Sequence, residues 1–391
     1  MARTKLKLKS ITPGTLPGRF KIEAENINAS AITPAKLSPN AQRGGGGNKN
    51  LAMNGAMNVS QRGTSVASIT GAGYHLLDRH RLGGAVPGTW TISQSTTVPS
   101  GQGFAKSFKL DCTATGSAGT MYFQHKFEGQ NLQHLKKGTS SAETTTLSFW
   151  VRSNKTGTYI AQLLDNDNTR HISKAYTISA ANTWEHKKIT FAGDTTGTLD
   201  NDNAASLEIY LWLSADSNNS DGTLATSWAS VTNANNAVGQ VNLADNTDNE
   251  WYLTGLQFEV GDVATAFEHE PFETTLTKCL RYYQKTYDYA RAPGYSESST
   301  SSHTRMFLNN RNPGHGHVYG QFQRRMRAAP TITHYNPYDG SANEMSNYDG
   351  TAGDNSGSNI SRIGEEGYTA YTNSTSLGHF IAWHFTAAAD L

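Results

Sequence analysis

The sequence predicts an all-β protein: an N-terminal extended arm, an antiparallel β-sandwich, one connecting helix and a small β-rich C-terminal domain. Between residues 51 and 272, apolar and polar side chains alternate in several short runs, which is the period of a strand with one buried face. Such runs occupy residues 145–151, 207–213 and 252–260, with a weaker one at 104–112. Stretches rich in Asn, Asp and Gly, such as 216–222, separate them. No regular alternation of strands with helices is visible, which excludes a doubly wound α/β fold.

Composition excludes several classes of protein. Of the 391 residues, 36% are hydrophobic and 10% aromatic, enough to form cores and too apolar for a disordered chain. Two cysteines, Cys112 and Cys279, are too few for a disulfide framework or a four-thiolate zinc site. No apolar run approaches the ~20 residues that span a bilayer, which argues against membrane insertion. The basic N-terminus has no apolar stretch after it, so we expect no signal peptide and synthesis in the cytoplasm.

Charge is distributed unevenly although the net charge is only +1. Residues 189–277 contain fourteen Asp and Glu and no Lys or Arg, whereas residues 1–43 carry eight Lys and Arg against two Glu. Alternating fields of this kind suit stacked modules or subunits. A nucleic-acid-binding protein would show one sustained basic face, so we expect no nucleic acid partner.

Four segments follow from these patterns. We predict an arm and Gly linker at 1–47, a sandwich at 48–271, a helix at 272–289 and a β domain at 290–391. The arm contains several prolines and no strand or helix period, so it is either a disordered leader or a segment that becomes ordered only against a partner. Its first ten residues carry the basic side chains that we expect to attach it to an acidic socket: Arg3 and Lys5, on either side of Thr4, then Lys7 and Lys9.

The helix prediction rests on one apolar stripe. Leu276, Cys279, Leu280 and Tyr283 are spaced i, i+3, i+4 and i+7, and Pro271 precedes them as a helix start. In the C-terminal domain only short strands are visible, at 318–322, 331–335 and 379–385. About 100 residues with so few apolar strands make a thin core, so we expect oligomerisation.

Several segments resemble a β-sandwich module of bacteriophage tail fibres. The most specific block is residues 251–285, where a pattern close to Q-x-E-x-G-x-x-A-T-x-F-E ends in C-x-R-Y-Y. Its matching residues are Gln257, Glu259, Gly261, Ala264, Thr265, Phe267, Glu268, Pro271, Cys279, Arg281, Tyr282 and Tyr283. Glu270 and Thr275 depart from the usual pattern. The segments NVSQRGTS (58–65), YHLLDRHRL (74–82) and SFWVRSN (148–154) extend the likeness, and residues 324–340 resemble a fibre-tip module.

The resemblance implies a jelly-roll-like sandwich similar to carbohydrate-binding modules, in a parallel homotrimer. It implies a structural protein of the virion, a tail fibre that binds host cell-surface polysaccharide or lipopolysaccharide and contacts virion tail or head proteins through its arm. Two alternatives stay open: a head-attached fibre or decoration protein, and a fibre with polysaccharide-depolymerase activity. A depolymerase usually carries a long repetitive β-helix, and the sequence shows no internal period.

Candidate binding residues are aromatic. Tyr338, Tyr348 and Tyr371 stand among Asp, Asn and Gly, and tyrosine can both stack on a sugar ring and hydrogen-bond its hydroxyls. We expect receptor contact there. The alternative is that Arg324, Arg325 and Arg327 bind an anionic lipopolysaccharide.

Catalytic and metal sites are weakly indicated. Paired aspartates, such as Asp165 with Asp167 and Asp245 with Asp248, stand in turn-like stretches where Asx side chains fold the chain. No nucleophile or phosphate-binding motif is present in a usable context, so we expect no enzyme and no cofactor. A structural Ca²⁺ stays open, as does a trimer-axis metal held by His315 and His317, which alternate along a predicted strand.

Overall fold

A computed structural model describes residues 49–296, 305–308, 316–348, 353–372 and 380–391, and the account below concerns these residues. All of them belong to one compact unit, Asn48–Leu391. The predicted arm, with its four basic residues, lies outside the described residues, as does His315.

Two six-stranded antiparallel sheets form a sandwich. The first sheet has the order β1 (Ser65–Ile69), β3 (Thr89–Ser95), β4 (Ser107–Ala114), β12 (Glu250–Val260), β6 (Thr145–Ser153) and β9 (Glu185–Phe191). The second has the order β11 (Ala229–Ser230), β8 (Arg170–Ile178), β7 (Gly157–Asp165), β10 (Ala205–Ser214), β5 (Met121–Glu128) and β2 (Arg81–Gly84). The runs at 145–151, 207–213 and 252–260 fall within β6, β10 and β12, so the predicted antiparallel sandwich is confirmed.

Aromatic rings from both sheets fill the space between them. Phe108 of β4 meets Phe123 of β5 edge-on at 5.4 Å between ring centroids, and Phe123 also lies 6.0 Å from Trp251 of β12. Phe127 and Phe258 make a further pair at 5.5 Å. Consecutive strands β4, β5, β6 and β7 alternate between the two sheets, which is a jelly-roll-like crossing pattern. Contacts between strands distant in sequence therefore build the core.

The outer faces of the sheets are less exposed than the alternation predicts. Only the first and last residues of β12 escape full burial. On its outer face, the Gln257 side-chain carbonyl accepts the Glu268 backbone N–H at 2.8 Å, and Glu259 Oε1 accepts that of Thr265 at 2.8 Å. These bonds pin the segment 261–269 over the strand. Because buried carboxamides and carboxylates need such partners, the spacing Gln257–Glu259–Thr265 serves to hold a loop against the sheet.

The helix is shorter than the predicted 272–289. A single turn, α1 (Ser217–Ser220), precedes it, and α2 itself spans Phe272–Cys279. The chain then turns, and β13 (Tyr283–Lys285) pairs with the last strand of the molecule, Tyr283 opposite Ala388. Pairing with β20 forms the backbone hydrogen bonds that residues 283–285 would otherwise have formed in a longer helix. Lys278 forms an ion pair with Glu270, so the unusual residue at 270 keeps a local salt bridge.

Three segments of the fibre-like pattern meet beside this helix. The guanidinium of Arg62 lies 3.7 Å from the ring centroid of Tyr283, and that of Arg79 lies 3.6 Å from that of Tyr282. The Gln61 amide N–H donates to the carbonyl oxygen of Tyr283 at 3.0 Å. These cation–π contacts and this hydrogen bond join the loops at the N-terminal end of the sandwich to the segment that follows α2.

A separate antiparallel sheet follows. Its strands are β13, β14 (Arg305–Leu308), β15 (Gly316–Gln321), β16 (Thr331–Tyr335), β17 (Glu344–Tyr348), β18 (Gly353–Ser361), β19 (Gly367–Thr372) and β20 (Phe380–Ala388). The long β20 pairs with β13, β14, β16 and β17. In its core the Tyr368 hydroxyl lies 2.7 Å from Nε2 of His334 and accepts the Trp383 indole N–H at 3.2 Å. The predicted strand 331–335 coincides with β16.

Candidate functional site

An aromatic depression lies on the outer face of the first sheet. It encloses about 260 Å³ and carries the rings of Phe104, Trp150, His186, Phe267 and His269. We call these five residues the aromatic cleft. Polar groups from Gln102, Ser148 and Thr265 also line it.

One wall of the cleft is a stacked pair of rings from neighbouring strands. Trp150 of β6 stands directly opposite His186 of β9, and their ring planes are nearly parallel, 11° apart at 4.9 Å between centroids. Trp150 is half-buried and His186 is exposed. Partial desolvation of the ring, and next the nearby Lys188 ammonium, lower the pKa of His186 below its usual value, which favours the neutral imidazole at pH 7. Because each ring of a stacked pair covers one face of the other, the outer ring face and the ring edges remain for a ligand.

The other wall comes from two loops. Phe104 meets Phe267 edge-on at 5.0 Å, and His269 lies 5.1 Å from Phe104 and 4.8 Å from Phe267. Phe267 and His269 belong to the segment that Gln257 and Glu259 pin over β12, so that network positions this wall. Rings held by a buried polar network lose little freedom when a ligand arrives.

A glycine at the base lets the two walls approach each other. Gly255 lies at a bulge in β12 and has φ +63°, in the left-handed region. A Cβ added there would stand 2.7 Å from Phe104 Cζ and 3.1 Å from Trp150 Cδ1. Any larger residue would therefore push the rings apart.

The predicted tyrosines lie in the C-terminal sheet and its turns. Tyr371 is half-buried in β19 with its ring 5.6 Å from that of His317, and Tyr338 is half-buried in the turn after β16. Tyr348 ends β17 opposite Gly353 of β18, whereas Tyr371 stands opposite Asn359 of the same strand. Six residues of β18 separate those positions, about 20 Å. The structure therefore keeps Tyr348 and Tyr371 apart, and their role in binding stays a prediction.

The predicted arginines and the predicted metal ligand His317 lie in different environments. Arg327 turns inward, donating from Nε to the carbonyl of Ala389 at 2.9 Å and from Nη1 to that of Asn203 at 2.8 Å. Arg325 pairs with Glu365, and Arg324 is exposed. His317 is exposed on β15. Among the described residues no group of three or more His, Cys, Asp or Glu side chains is arranged to hold a metal ion.

The paired aspartates serve the fold. Asp165 is fully buried and forms an ion pair with Lys137, and the carboxylate of Asp245 accepts from Lys155 at 2.5 Å and from Asn249 at 2.8 Å. Asp167 accepts the backbone N–H of Asp200 at 2.8 Å across two loops. These contacts match the predicted turn role. In the part of the chain that the structure describes, no helix has the length and apolarity to cross a bilayer.

The chain is similar to solved structures of a phage tailspike domain and of carbohydrate-binding modules. No protein-family model matches the chain, and no curated protein matches it. The enzymatically active domain of tailspike protein 4 of bacteriophage CBA120 aligns with 55% of this chain at 16% identity and a TM-score of 0.30, and the alignment spans 22% of that chain. A CBM4 structure aligns with 53% of this chain at 11% identity and a TM-score of 0.27, over 98% of its own length.

A family 11 carbohydrate-binding module from Clostridium thermocellum, in complex with a mixed-linked tetrasaccharide, is also similar. It aligns with 53% of this chain at 13% identity and a TM-score of 0.24, over 99% of its own length.

The alternation in β6 already places Trp150 on the face opposite Phe149. No sequence signal singles out His186 or His269. Phe267 matches the fibre pattern, but that pattern does not show that its ring meets Phe104 and Trp150, which come from distant segments. Phe104 belongs to the weak run at 104–112, but β4 begins only at Ser107 and leaves this ring in a loop.

Proposed function

We propose that this protein is a structural component of a phage virion, a trimeric tail fibre whose sandwich binds a host surface glycan for adsorption. The aromatic cleft carries the binding part of the proposal. Sugar rings present C–H faces that stack on aromatic planes, and their hydroxyls need hydrogen-bond partners at the edge of the stack. The cleft offers the rings of Trp150 and His186 together with the side chains of Gln102 and Ser148.

The tail-fibre part is supported by the pattern of residues 251–285 and by what those residues do in the fold. Gln257, Glu259 and Thr265 hold one wall of the cleft, and Tyr282 and Tyr283 join the sandwich to the C-terminal sheet. In a trimer, three weak glycan sites act together, so avidity arises without any single tight site. Attachment through the basic arm to a tail or head protein belongs to the same proposal.

Binding by the cleft can be tested with one substitution and a matched control. We expect Trp150→Ala to weaken binding to host surface polysaccharide by about 1–2 kcal/mol per site, because the stacking plane is lost. Phe272→Ala removes an exposed ring outside the cleft and should leave affinity unchanged. Calorimetric titration of both variants with purified polysaccharide measures the difference.

The same titration distinguishes the cleft from the C-terminal tyrosines. If Tyr371→Ala abolishes binding while Trp150→Ala binds as the unmodified protein does, the receptor site lies in the C-terminal sheet and the cleft assignment is wrong. Release of reducing sugars during the titration would favour the depolymerase alternative.

A further inference from the structure

A second cavity lies at one end of the sandwich, between β5, the turn that follows it and α2. It encloses about 340 Å³, and its wall includes Asn50, Arg79, Lys126, Asn131 and Lys278. We call this cavity the basic pocket. The aromatic cleft and the basic pocket have no lining residue in common.

Arg79 is the unusual member of the wall. Its side chain is only 1% exposed, and no carboxylate lies within 4 Å of its guanidinium in the described part of the chain. Nη2 donates to the carbonyl of Lys126 at 2.6 Å, whereas Nε and Nη1 have no hydrogen-bond acceptor. One face of the group lies over the Tyr282 ring at 3.6 Å. The Asp390 carboxylate also acts on the guanidinium electrostatically, but that carboxylate is bonded to Arg62. A buried charge of this kind is costly unless an anion contacts it.

The backbone is also strained at this position. Arg79 has φ +72°, in the left-handed region that non-glycine residues rarely adopt. A conformation of this type persists where surrounding contacts enforce it. Here the contact with Tyr282 and the hydrogen bond to Lys126 hold the guanidinium at the pocket wall.

The carboxylate on the pocket wall, that of Glu128, already forms an ion pair with Arg281. Glu128 accepts Arg281 Nε at 2.8 Å and Arg281 Nη2 at 2.7 Å, and it also accepts the Tyr282 hydroxyl. Lys126 and Lys278 pair with Glu208 and Glu270. After these pairs are formed, Arg79 is the cation of the wall without a carboxylate partner.

We propose that the basic pocket binds one acidic sugar residue, with its carboxylate balancing Arg79. Leu51, Met53, Phe127 and Leu132 give the wall an apolar area suited to the C–H face of a sugar ring, and Asn131 offers an amide for its hydroxyls. A simple phosphate needs the cations but not the apolar area. The ligand class rests on the proposed function, but the location rests on Arg79 alone.

The experiment is a ligand-observed NMR titration of the full chain with glucuronate, glucose and inorganic phosphate. We expect glucuronate to bind at least about tenfold more tightly than glucose, because only it supplies a charge for Arg79. Arg79→Gln should reduce that affinity by a similar factor. Asn131→Trp, an exposed substitution at the rim, should block entry and reduce it too.

Tyr319→Ala is the control, since it removes an exposed ring of β15 that lines neither the basic pocket nor the aromatic cleft. Glucuronate affinity unchanged in Asn131→Trp, or absent in the unmodified protein, would overturn the proposal. Phosphate binding as tightly as glucuronate would overturn the assignment to a sugar. If Arg79→Gln does not fold, Asn131→Trp decides the result. The two proposals can fail separately. If Asn131→Trp removes glucuronate binding while Trp150→Ala leaves polysaccharide binding unchanged, the pocket is supported and the cleft is refuted.

Discussion

Gly255 shows how much of the aromatic cleft depends on single positions. Its lack of a side chain lets Phe104 and Trp150 share one depression, and its positive φ allows the bulge in β12. Neither property can be read from the alternating pattern, in which Gly255 is one small residue within a strand. The cleft is therefore sensitive to a substitution that leaves hydrophobicity nearly unchanged.

We expect Gly255→Ala to lower the free energy of unfolding by about 1–3 kcal/mol, because the added methyl group meets Phe104 in a strained backbone conformation. Glycan affinity should fall as well, since the two walls must move apart. Gly71→Ala is the control, because a Cβ there meets no atom within 4 Å. Urea denaturation of both variants gives the comparison, and equal stabilities would show that the cleft can adapt.

Ion pairs connect separate elements at one end of the sandwich. Lys137, in the turn after β5, is buried and pairs with Asp165 at the end of β7 and with Asp194 at 3.0 Å in the loop after β9. It also donates to the carbonyls of Thr196 and Gly197 at 3.1 and 3.0 Å. Arg170 shares Asp194 at 2.7 Å. One ammonium group thus organises three connections.

Removing that ammonium should be costly. We expect Lys137→Met to lower the free energy of unfolding by about 3–5 kcal/mol, because Asp165 would be left as a buried charge without its cation. Lys136→Met, at the adjacent exposed position that pairs with Glu143, should change it by less than about 1 kcal/mol. Chemical denaturation at pH 7 measures both, and similar losses in the two variants would contradict the role given to Lys137.

Whole strands were predictable because their signal is local. The alternation in 145–151 and 252–260 gives the position of β6 and β12, and Pro271 followed by an apolar stripe gives the start of α2. The end of α2 was not predictable, since pairing of Tyr283 with Ala388 is a contact across 105 positions. The burial of the outer face of β12 depends in the same way on a loop that folds back over it.

Buried histidines make the whole molecule sensitive to acid. Burial lowers the pKa of His80 to about 4, that of His334 to about 3 and that of His384 to about 4. A histidine in the unfolded chain has a pKa near 6.5, so below that pH the unfolded state binds more protons than the folded state. Stability is therefore complete above pH ~6.5 and falls as the pH drops toward 4. Burial raises the pKa of Asp78 and Asp390, which acts in the opposite direction.

We expect the free energy of unfolding to fall between pH 6.5 and pH 5 by up to about 1.4 kcal/mol per pH unit for each buried histidine. Urea midpoints at pH 7, 6 and 5 test this. The exposed His134→Gln variant should show the same slope as the unmodified protein. Midpoints that do not change over this range would show that the histidines are protonated in the folded state.

Assembly is the second prediction for the whole molecule. From the thin C-terminal core and the fibre resemblance, we expect light scattering to give three times the chain mass of 42.4 kDa. Deleting residues 1–43 should leave a trimer of the shortened chain and abolish incorporation into virions, because attachment is assigned to the basic arm. A monomer mass would contradict the trimer, and incorporation of the truncated protein would place attachment elsewhere.

The sequence by itself determined the fold class, the faces of the main strands and the absence of a disulfide framework, because strand period and cysteine count are properties of neighbouring or countable residues. It also gave the Gln257–Glu259–Thr265 spacing without its meaning. The tertiary structure alone decided that this spacing holds Phe267 beside Phe104 and Trp150. It also decided that Arg79 is buried at a cavity wall with no carboxylate within 4 Å of its guanidinium among the described residues. Both sites join side chains from distant segments, and only long-range packing brings such side chains within a few ångströms of one another.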